Sequence, residues 1–416
     1  MQKLVIAIAS VLAMLCLGSG VIIGYFVANR SPVAPPNRVK RSCDQGGTFT
    51  SAAVKGHLDT CIAGCREGAC QADSCEIPLP RTYVAYHLQG KTINLDGRID
   101  EEAWSEVSQT EDFVDLRGLK YTKPRFDSRV KIRWDNTNLY VAAFLQEDDI
   151  WANKTLHDSK VWQDNAFELY VDTDGSTHNY KEFQVNALKT TWDLLLTKAY
   201  IDGGQADSSW ESNAQIGLYT DGAVNDPNSN NEYWSVEIAL PFTQLRWKTL
   251  QANEGAPKDM DIWKIVLARP EWGFQIVDGQ YVKDESVEAS WWSWQPHGAV
   301  SLHLPDRWGL LQFSRGAVKS TSFTPNEQWK ISQALFDVFN AMKKYHGVFG
   351  LYTDDKSMLD LPQYLLTGYC VEIPQISLLD SGFVVSISSK NRALQGHIRA
   401  DRYLWFGDRA TGLAKV

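Results

Sequence analysis

Carboxylates, amides and an indole recur at close spacing within one stretch of this chain, residues 161–196. The run WQDNAFELYVD carries Trp162, Asp164 and Glu168, and the run YKEFQVNA carries Glu182, Gln184 and Asn186. Side chains of these types can hold a polyhydroxylated ring. Acids and amides meet its hydroxyls, and an indole offers an apolar platform to its C–H face.

The stretch must fold so that these groups converge. From Ala166 to Asp172, Phe167, Leu169 and Val171 alternate with Glu168 and Tyr170. From Glu182 to Ala187, Phe183, Val185 and Ala187 alternate with Glu182, Gln184 and Asn186. Period-two alternation predicts strands with one buried face, and Asp174-Gly175 between them is a turn signal. An antiparallel hairpin then puts Glu168, Gln184 and Asn186 on one sheet face, with Trp162 at its rim.

The surrounding chain repeats the pattern. Asp96-Gly97 marks a turn, followed by a short helical turn that carries Trp104 inward. Strands are expected at Val130 to Asp135, Leu139 to Leu145, Ser209 to Thr220, Tyr233 to Leu240, Ile262 to Ala268, Ser290 to Trp294, Ala299 to Leu302 and Gly309 to Phe313. Many short strands with turn signals between them imply a mainly β fold, an antiparallel sandwich of jelly-roll or immunoglobulin-like type. Of the 16 tryptophans, 14 fall between Trp104 and Trp308, which places the functional module there. Most of them should fill the core, Trp134 and Trp192 among them.

Other segments bound the architecture. Leu4 to Ala28 is an apolar run long enough to span a bilayer, read as a signal anchor or a signal peptide. Residues 31–82 form a Pro-rich basic linker and a Cys-rich segment. In the linker, Arg38-Val39-Lys40-Arg41 reads either as a proteolytic site after Arg41 or as a solvated basic cluster. Cys43, Cys61, Cys65, Cys70, Cys75 and Cys370 make an even set that suits an oxidising exterior. The expected placement is a single-pass membrane protein with an extracellular or lumenal C-terminal region, shed or secreted after cleavage. Asn153-Lys154-Thr155 is a glycosylation sequon. Residues 83–316 form the sandwich. Residues 322–410 form a small α+β domain, whose helix starts at Thr324-Pro325 and ends at Gly347, before three short strands.

Charge narrows the partners. A formal net charge of −9 over 416 residues argues against a general nucleic-acid binder. Neither a Gly-rich phosphate loop nor zinc-type Cys/His spacing occurs.

Six segments occur here in one order: D-G-x-I-D-E-x-A-W, I-R-W-D-N-T-N-L-Y-V-A-A, W-Q-D-N-A-F-E-L-Y-V-D, Y-K-E-F-Q-V-N-A-L-x-T-x-W-D-L-L-L, V-E-I-A-L-P and W-Q-P-H-G…L-P-D-R-W-G. Together they resemble the family 9 carbohydrate-binding modules, sugar-binding β-sandwiches related to the DOMON sandwiches. The resemblance covers a little over half of the chain. It implies a sugar held between two tryptophans, Trp162 and Trp294, with Glu168 taking sugar hydroxyls. Asp164, Gln184 and Asn186 supply further polar contacts. An arginine can stand at the place of Gln184 in this family; here Arg269 is the substitute donor, its alternative role being an ion pair with Glu271. Family members bind structural calcium, for which Asp172 and Asp174 are the candidates beside a plain turn. No other cofactor is expected.

The reading that follows is a non-catalytic, lectin-like carbohydrate-binding protein. Three alternatives stay open. One is an adhesion protein whose sandwich no longer binds sugar. Another is a glycoside hydrolase using Glu168 and Glu182. The third is a haem carrier drawing ligands from Met260, His297 and His303.

Overall fold

A computed structural model describes residues 77–407 and, upstream, the backbone of a short antiparallel pair, Cys65–Arg66 with Ala69–Cys70. The chain divides into two compact units, Met1–Ala72 and Asp73–Val416. Leu4 to Ala28, Arg41 and the side chains of the cysteines from Cys43 to Cys75 lie outside the described residues. Among the described residues no helix is long and apolar enough to cross a membrane. The single-pass placement expected from the sequence is corrected on that finding. The one long helix among the described residues, Glu327–Phe349, is amphipathic, and its apolar stripe packs on a sheet.

Ten strands form the path of one large sheet, apart from a two-residue end strand, Ala206–Asp207. In chain order they are β1 (Thr82–His87), β2 (Ser128–Trp134), β3 (Asn138–Gln146), β4 (Ala166–Asp172), β5 (Tyr180–Asn186), β6 (Thr191–Leu196), β7 (Gln215–Asp221), β8 (Tyr233–Pro241), β9 (Ile262–Glu271) and, after the off-path β10 (Ser290–Ser293), β11 (Gly309–Ser314). Their spatial order is β6-β5-β4-β9-β11-β1-β2-β3-β8-β7. All neighbours are antiparallel except β11 with β1 and β1 with β2. The sheet folds over on itself. Phe167, Leu169, Val171, Phe183 and Val185 from one half share a core with Val141, Ala143, Val236 and Ile238 from the other. These are the inward positions of the alternation, so the period-two pattern sets which face each strand buries. The result is the mainly β sandwich.

Turn chemistry holds where the sequence places it. Gly97 adopts φ +89°, and a Cβ there would lie 2.2 Å from the backbone of Leu218; only glycine fits. Trp104, carried inward by the Glu102–Ser105 turn, donates from Nε1 to Glu237 at 2.7 Å.

Two local expectations change, and one hairpin is new. Ala299 to Leu302 is a loop, because it leaves the sheet to cover a cavity. Trp210 precedes β7 rather than sitting in it. A hairpin, Phe274–Val277 with Gln280–Lys283, stands apart from the main sheet.

The C-terminal part is α+β. Helix α1 (Glu327–Phe349) starts behind Asn326, whose side chain accepts from the Trp329 amide at 2.8 Å, rather than at Thr324. It runs through Gly347 and stops at Gly350, which takes the left-handed conformation. The helix lies on a four-stranded antiparallel sheet of β12 (Gln375–Leu379), β13 (Gly382–Ser388), β14 (Gln395–Arg399) and β15 (Leu404–Phe406). This sheet is tied to the β4–β5 turn: the Leu404 amide donates to Ser176 O, and Thr177 Oγ1 to Arg402 O at 2.8 Å. Cys370 is buried beside Ile77, Leu310 and Trp329 and is disulfide-bonded.

Candidate functional site

The outward face of β4, β5 and β6 is buried, and a layer of chain covers it. Leu116, Leu302 and Trp308 pack over Tyr170, Tyr180, Leu194 and Leu196. The row of polar residues predicted as an open surface is therefore the floor of a cavity of about 480 Å³, within the range of small-ligand sites. Strand register places the floor groups. Glu168 pairs with Gln184, which pairs with Trp192; Tyr170 pairs with Glu182, which pairs with Leu194. Two rungs thus read acid–amide–indole and phenol–acid–leucine. Ala268, on the other side of Glu168, adds only a methyl group.

The walls are aromatic. Trp162 sits on the Val161–Gln163 turn, whose Val161 is buried, and its carbonyl accepts from Trp272 Nε1 at 2.8 Å. Trp291 projects from β10, where side chains alternate: Trp292 joins the core and Trp291 faces the cavity. Four tryptophans of the chain are half-buried, Trp162, Trp192, Trp272 and Trp291. Three line this cavity, and a second cavity of about 510 Å³ shares Trp162 and Trp291 and adds Trp272. The two cavities adjoin across the Trp162–Trp291 wall.

The floor is rich in acceptors. The Tyr170 hydroxyl lies 2.8 Å from Glu168 Oε2 and 3.1 Å from Glu182 Oε1. Gln184 Nε2 donates to Glu182 Oε1 at 2.6 Å. Three oxygens are left buried with no protein partner: Glu168 Oε1, Glu182 Oε2 and Gln184 Oε1. An unpaired buried acceptor is costly, so a ligand donor gains there. Burial, then the charge of Glu182, holds the Glu168 carboxyl well above the usual range. Burial also raises Glu182 to about 7. One phenolic proton cannot serve two carboxylates, which agrees with a proton resident on the pair near neutrality. His303, 4.0 Å from Glu182, is pushed down to about 4 by burial and is neutral; Tyr180 meets its Nδ1 at 2.9 Å.

The structure brings Trp162, Glu168 and Gln184 together and sends the other expected contacts elsewhere. Asp164 is buried and its Oδ2 accepts from the Asn153 and Lys154 amides at 2.9 and 2.8 Å. Asn186 shares the sheet face, but its amide binds Asp164 and Lys154 O, while its Oδ1 accepts from the Leu188 and Thr190 amides. Both residues fix turns. Arg269 is wholly buried in an ion-pair network, 2.6 Å from Glu147 and 3.0 Å from Glu271. Its pairing with Glu271 is real but internal. Trp294 is core, since Gly309 leaves room for its ring, and its Nε1 donates to Glu111 at 2.7 Å. Trp192, expected in the core, lines the cavity instead.

Asp172 and Asp174 fit a capped turn rather than a calcium cage. Asp172 accepts from the Gly175 and Thr177 amides at 3.0 and 2.9 Å, and Asp174 from those of Ser176 and Leu250. Calcium wants six to eight free oxygens, and these are turned onto N–H donors. His297 Nδ1 faces Ser301 O, and Met260 lies on the surface. Asn153 is exposed.

Tyr170, Glu182 and Trp192 were legible from alternation as sharing the outward face with Glu168 and Gln184. They occupy the outward positions of their strands. Tyr200, Leu116 and Leu302 come from loops and carry no such signal.

The model of the family described as carbohydrate family 9 binding domain-like matches residues 95–314, more than half of the chain. Among solved structures, a Bacteroides uniformis protein put forward as carbohydrate-binding aligns with 14% identity and TM-score 0.40, over 56% of this chain and 100% of its own. A family 9 carbohydrate-binding module from Caldicellulosiruptor kristjanssonii in complex with cellotriose aligns with 13% identity and TM-score 0.33, over 59% of this chain and 100% of its own. The same organism's module in complex with glucose gives 15%, 0.32 and the same coverage. No curated protein matches.

Proposed function

The chain belongs to the carbohydrate family 9 binding domain-like family, and from that premise we propose that it is a non-catalytic, lectin-like carbohydrate-binding protein whose ligand sits in the Trp162–Trp291 cavity. One observation carries the reading. Glu168, Glu182 and Gln184, which each keep one buried oxygen without a protein partner, line a cavity walled by half-buried indoles. Sugar hydroxyls donate to the acceptors, and the sugar's C–H faces stack on Trp162, Trp192 and Trp291. The adjoining second cavity supports a ligand of more than one sugar unit. The adhesion alternative has no use for such unpaired acceptors.

Hydrolysis by the Glu168–Glu182 pair is disfavoured. Two catalytic acids need the reacting bond between them, and here the Tyr170 hydroxyl fills that place. Affinity for a single sugar is expected at about micromolar to millimolar.

We also read residues 83–316 as the binding sandwich, DOMON-like in type, and residues 322–410 as an appended helix-and-sheet domain. The exposed Asn153 is read as an N-glycan acceptor, for which a mobility shift on glycosidase treatment is the check.

A glycan array with the parent protein beside Trp162→Ala tests the central reading. Binding by the parent and its loss in the variant supports it. Unchanged binding moves the site elsewhere, and no binding by a folded parent removes the carbohydrate reading.

A further inference from the structure

We propose that the cavity is shaped for a sugar bearing a protonated amine, such as a 2-amino-2-deoxyhexose unit, whose ammonium lies over the Glu168–Tyr170–Glu182 floor within the aromatic walls. The proposal rests on the carbohydrate reading above and specifies its ligand.

Three observations carry it. The floor offers acceptors in excess of donors. Glu168 Oε1, Glu182 Oε2 and Gln184 Oε1 are buried and unpartnered, while the one amide donor on the floor, Gln184 Nε2, is taken by Glu182. A hydroxyl brings one proton and two lone pairs that need donors of their own. An ammonium brings three protons and no lone pair, which suits a floor whose unpartnered groups are all acceptors.

The second observation is charge. Two carboxylates share the floor, and among the described residues no Lys or Arg pairs with either. The nearest basic group is His303, and it is neutral. Lys160 lines the cavity but is exposed at its mouth. Two buried cations are engaged elsewhere: Arg269 of the sandwich with Glu147 and Glu271, and Arg402 of the C-terminal part with Asp202 and Asp306. Burying an uncompensated acid pair is unfavourable, and a cationic ligand supplies the missing charge.

The third observation is the wall. Trp162, Tyr170, Trp192, Tyr200 and Trp291 present aromatic surface around the acids. Aromatic faces attract a desolvated ammonium through their quadrupoles.

The pH dependence follows from the groups that face the cavity. The ammonium takes the place of the proton that Glu168 on β4 and Glu182 on β5 share near neutrality, so binding releases that proton, and the ligand amine must be protonated. Tyr170, Tyr180 and Tyr200 are pushed up by burial and stay neutral. His303 stays neutral as well. Binding is therefore bell-shaped, falling on the acid side as Glu182 takes up its proton and above about pH 8 as a sugar amine loses its own.

Calorimetric titration of the whole protein with a β-1,4-linked glucosamine disaccharide, its N-acetylated form and cellobiose tests the proposal. The expected result is at least about tenfold tighter binding of the free amine than of either neutral disaccharide. Glu182→Gln should erase that preference, weakening the amine at least about tenfold more than the neutral disaccharides, which lose only one hydroxyl contact at Glu182. Because glutamine is isosteric, a circular dichroism spectrum like the parent's confirms that the variant is folded. Equal or weaker binding of the amine, with cellobiose still bound, overturns this proposal and leaves the carbohydrate reading intact. No binding of any of the three by folded parent protein overturns both.

Discussion

Glu168 on β4 stands directly opposite Gln184 on β5, and the Oε1 atom of each is buried without a partner. Cross-strand partners in a sheet normally satisfy each other. Here the amide turns to Glu182 and the acid to Tyr170, so each residue keeps one unpartnered oxygen while lining the cavity. The protein itself is left with an unmet demand for donors, and binding is where that demand is met.

The aromatic walls separate binding from stability. Trp162→Ala and Trp291→Ala each remove a half-buried platform, and each should abolish sugar binding while costing only about 1–2 kcal/mol of stability. Trp294→Ala should do the reverse. Its ring is wholly buried against Gly309, so truncation should cost about 3–5 kcal/mol, with the folded fraction still binding. Urea denaturation paired with sugar titration distinguishes the two classes. Trp294→Ala losing binding without losing stability would return it to the site.

The acid pair sets the pH profile of the ligand-free protein. Folded Glu182 keeps its proton up to about pH 7, whereas the unfolded chain releases it near the ordinary glutamate value. Between those limits the folded state binds more protons, so stability falls as pH rises. Asp172 and Glu237, both raised to about 7 by burial, act in the same direction. Glu182→Gln should flatten the fall and stabilise the protein at pH 8, by on the order of 1–3 kcal/mol. Melting temperatures measured at pH 5 and pH 8 check this. A variant whose melting temperature falls between these values as steeply as the parent's would show that Glu182 carries no part of the profile.

The floor of the site could be read from alternation, because period two in β4 and β5 decides which side chains share a face. That argument delivers Glu168 and Gln184 and, carried one rung further, Tyr170 and Glu182. It cannot tell an open face from a covered one. The cover comes from Leu116 and from Ala299 to Leu302, loops whose placement depends on contacts remote in sequence. The same limit misplaced Trp294. β10 runs Ser290, Trp291, Trp292, Ser293, and only the register with β9 shows that Trp291 and not Trp294 faces outward. Asn186 and Asp164 have the right chemistry for a sugar, but each is closer to a turn that needs capping. Local backbone donors took them first.

A position remote from the cavity provides a control. Gly97 holds a left-handed turn against the backbone of β7. Gly97→Ala adds a Cβ that neither the dihedral nor the space allows, and should cost at least about 2 kcal/mol. The turn's anchor is Glu237, which accepts from the Gly97 amide at 2.8 Å. Sugar affinity of the folded variant should match the parent. A thermal melt unchanged from the parent's would mean that the turn can relax, contrary to its packing.

The junction between the sandwich and the C-terminal sheet turns on Arg402. Its Nε donates to Asp202 at 2.7 Å and its Nη1 to Asp306 at 2.5 Å. All three side chains are nearly free of solvent. Lys343 on α1 lies 3.2 Å from Asp202 and brings the helix into the same network. An exposed pair would contribute little, but removing one partner of a buried set leaves charge without compensation. Arg402→Ala strands two acids that Lys343 cannot both serve, so a loss of about 3–5 kcal/mol is expected. Arg402→Lys keeps the charge but loses the planar fork that spans two carboxylates, and should fall between parent and Ala. Salt should not reproduce the effect, since buried pairs are weakly screened. Denaturation of the three proteins at low and high salt, with proteolysis of the helix-and-sheet part as a local probe, checks the order. A loss under about 1 kcal/mol for Arg402→Ala would place the docking energy in the apolar contacts around Cys370 and Trp329 instead.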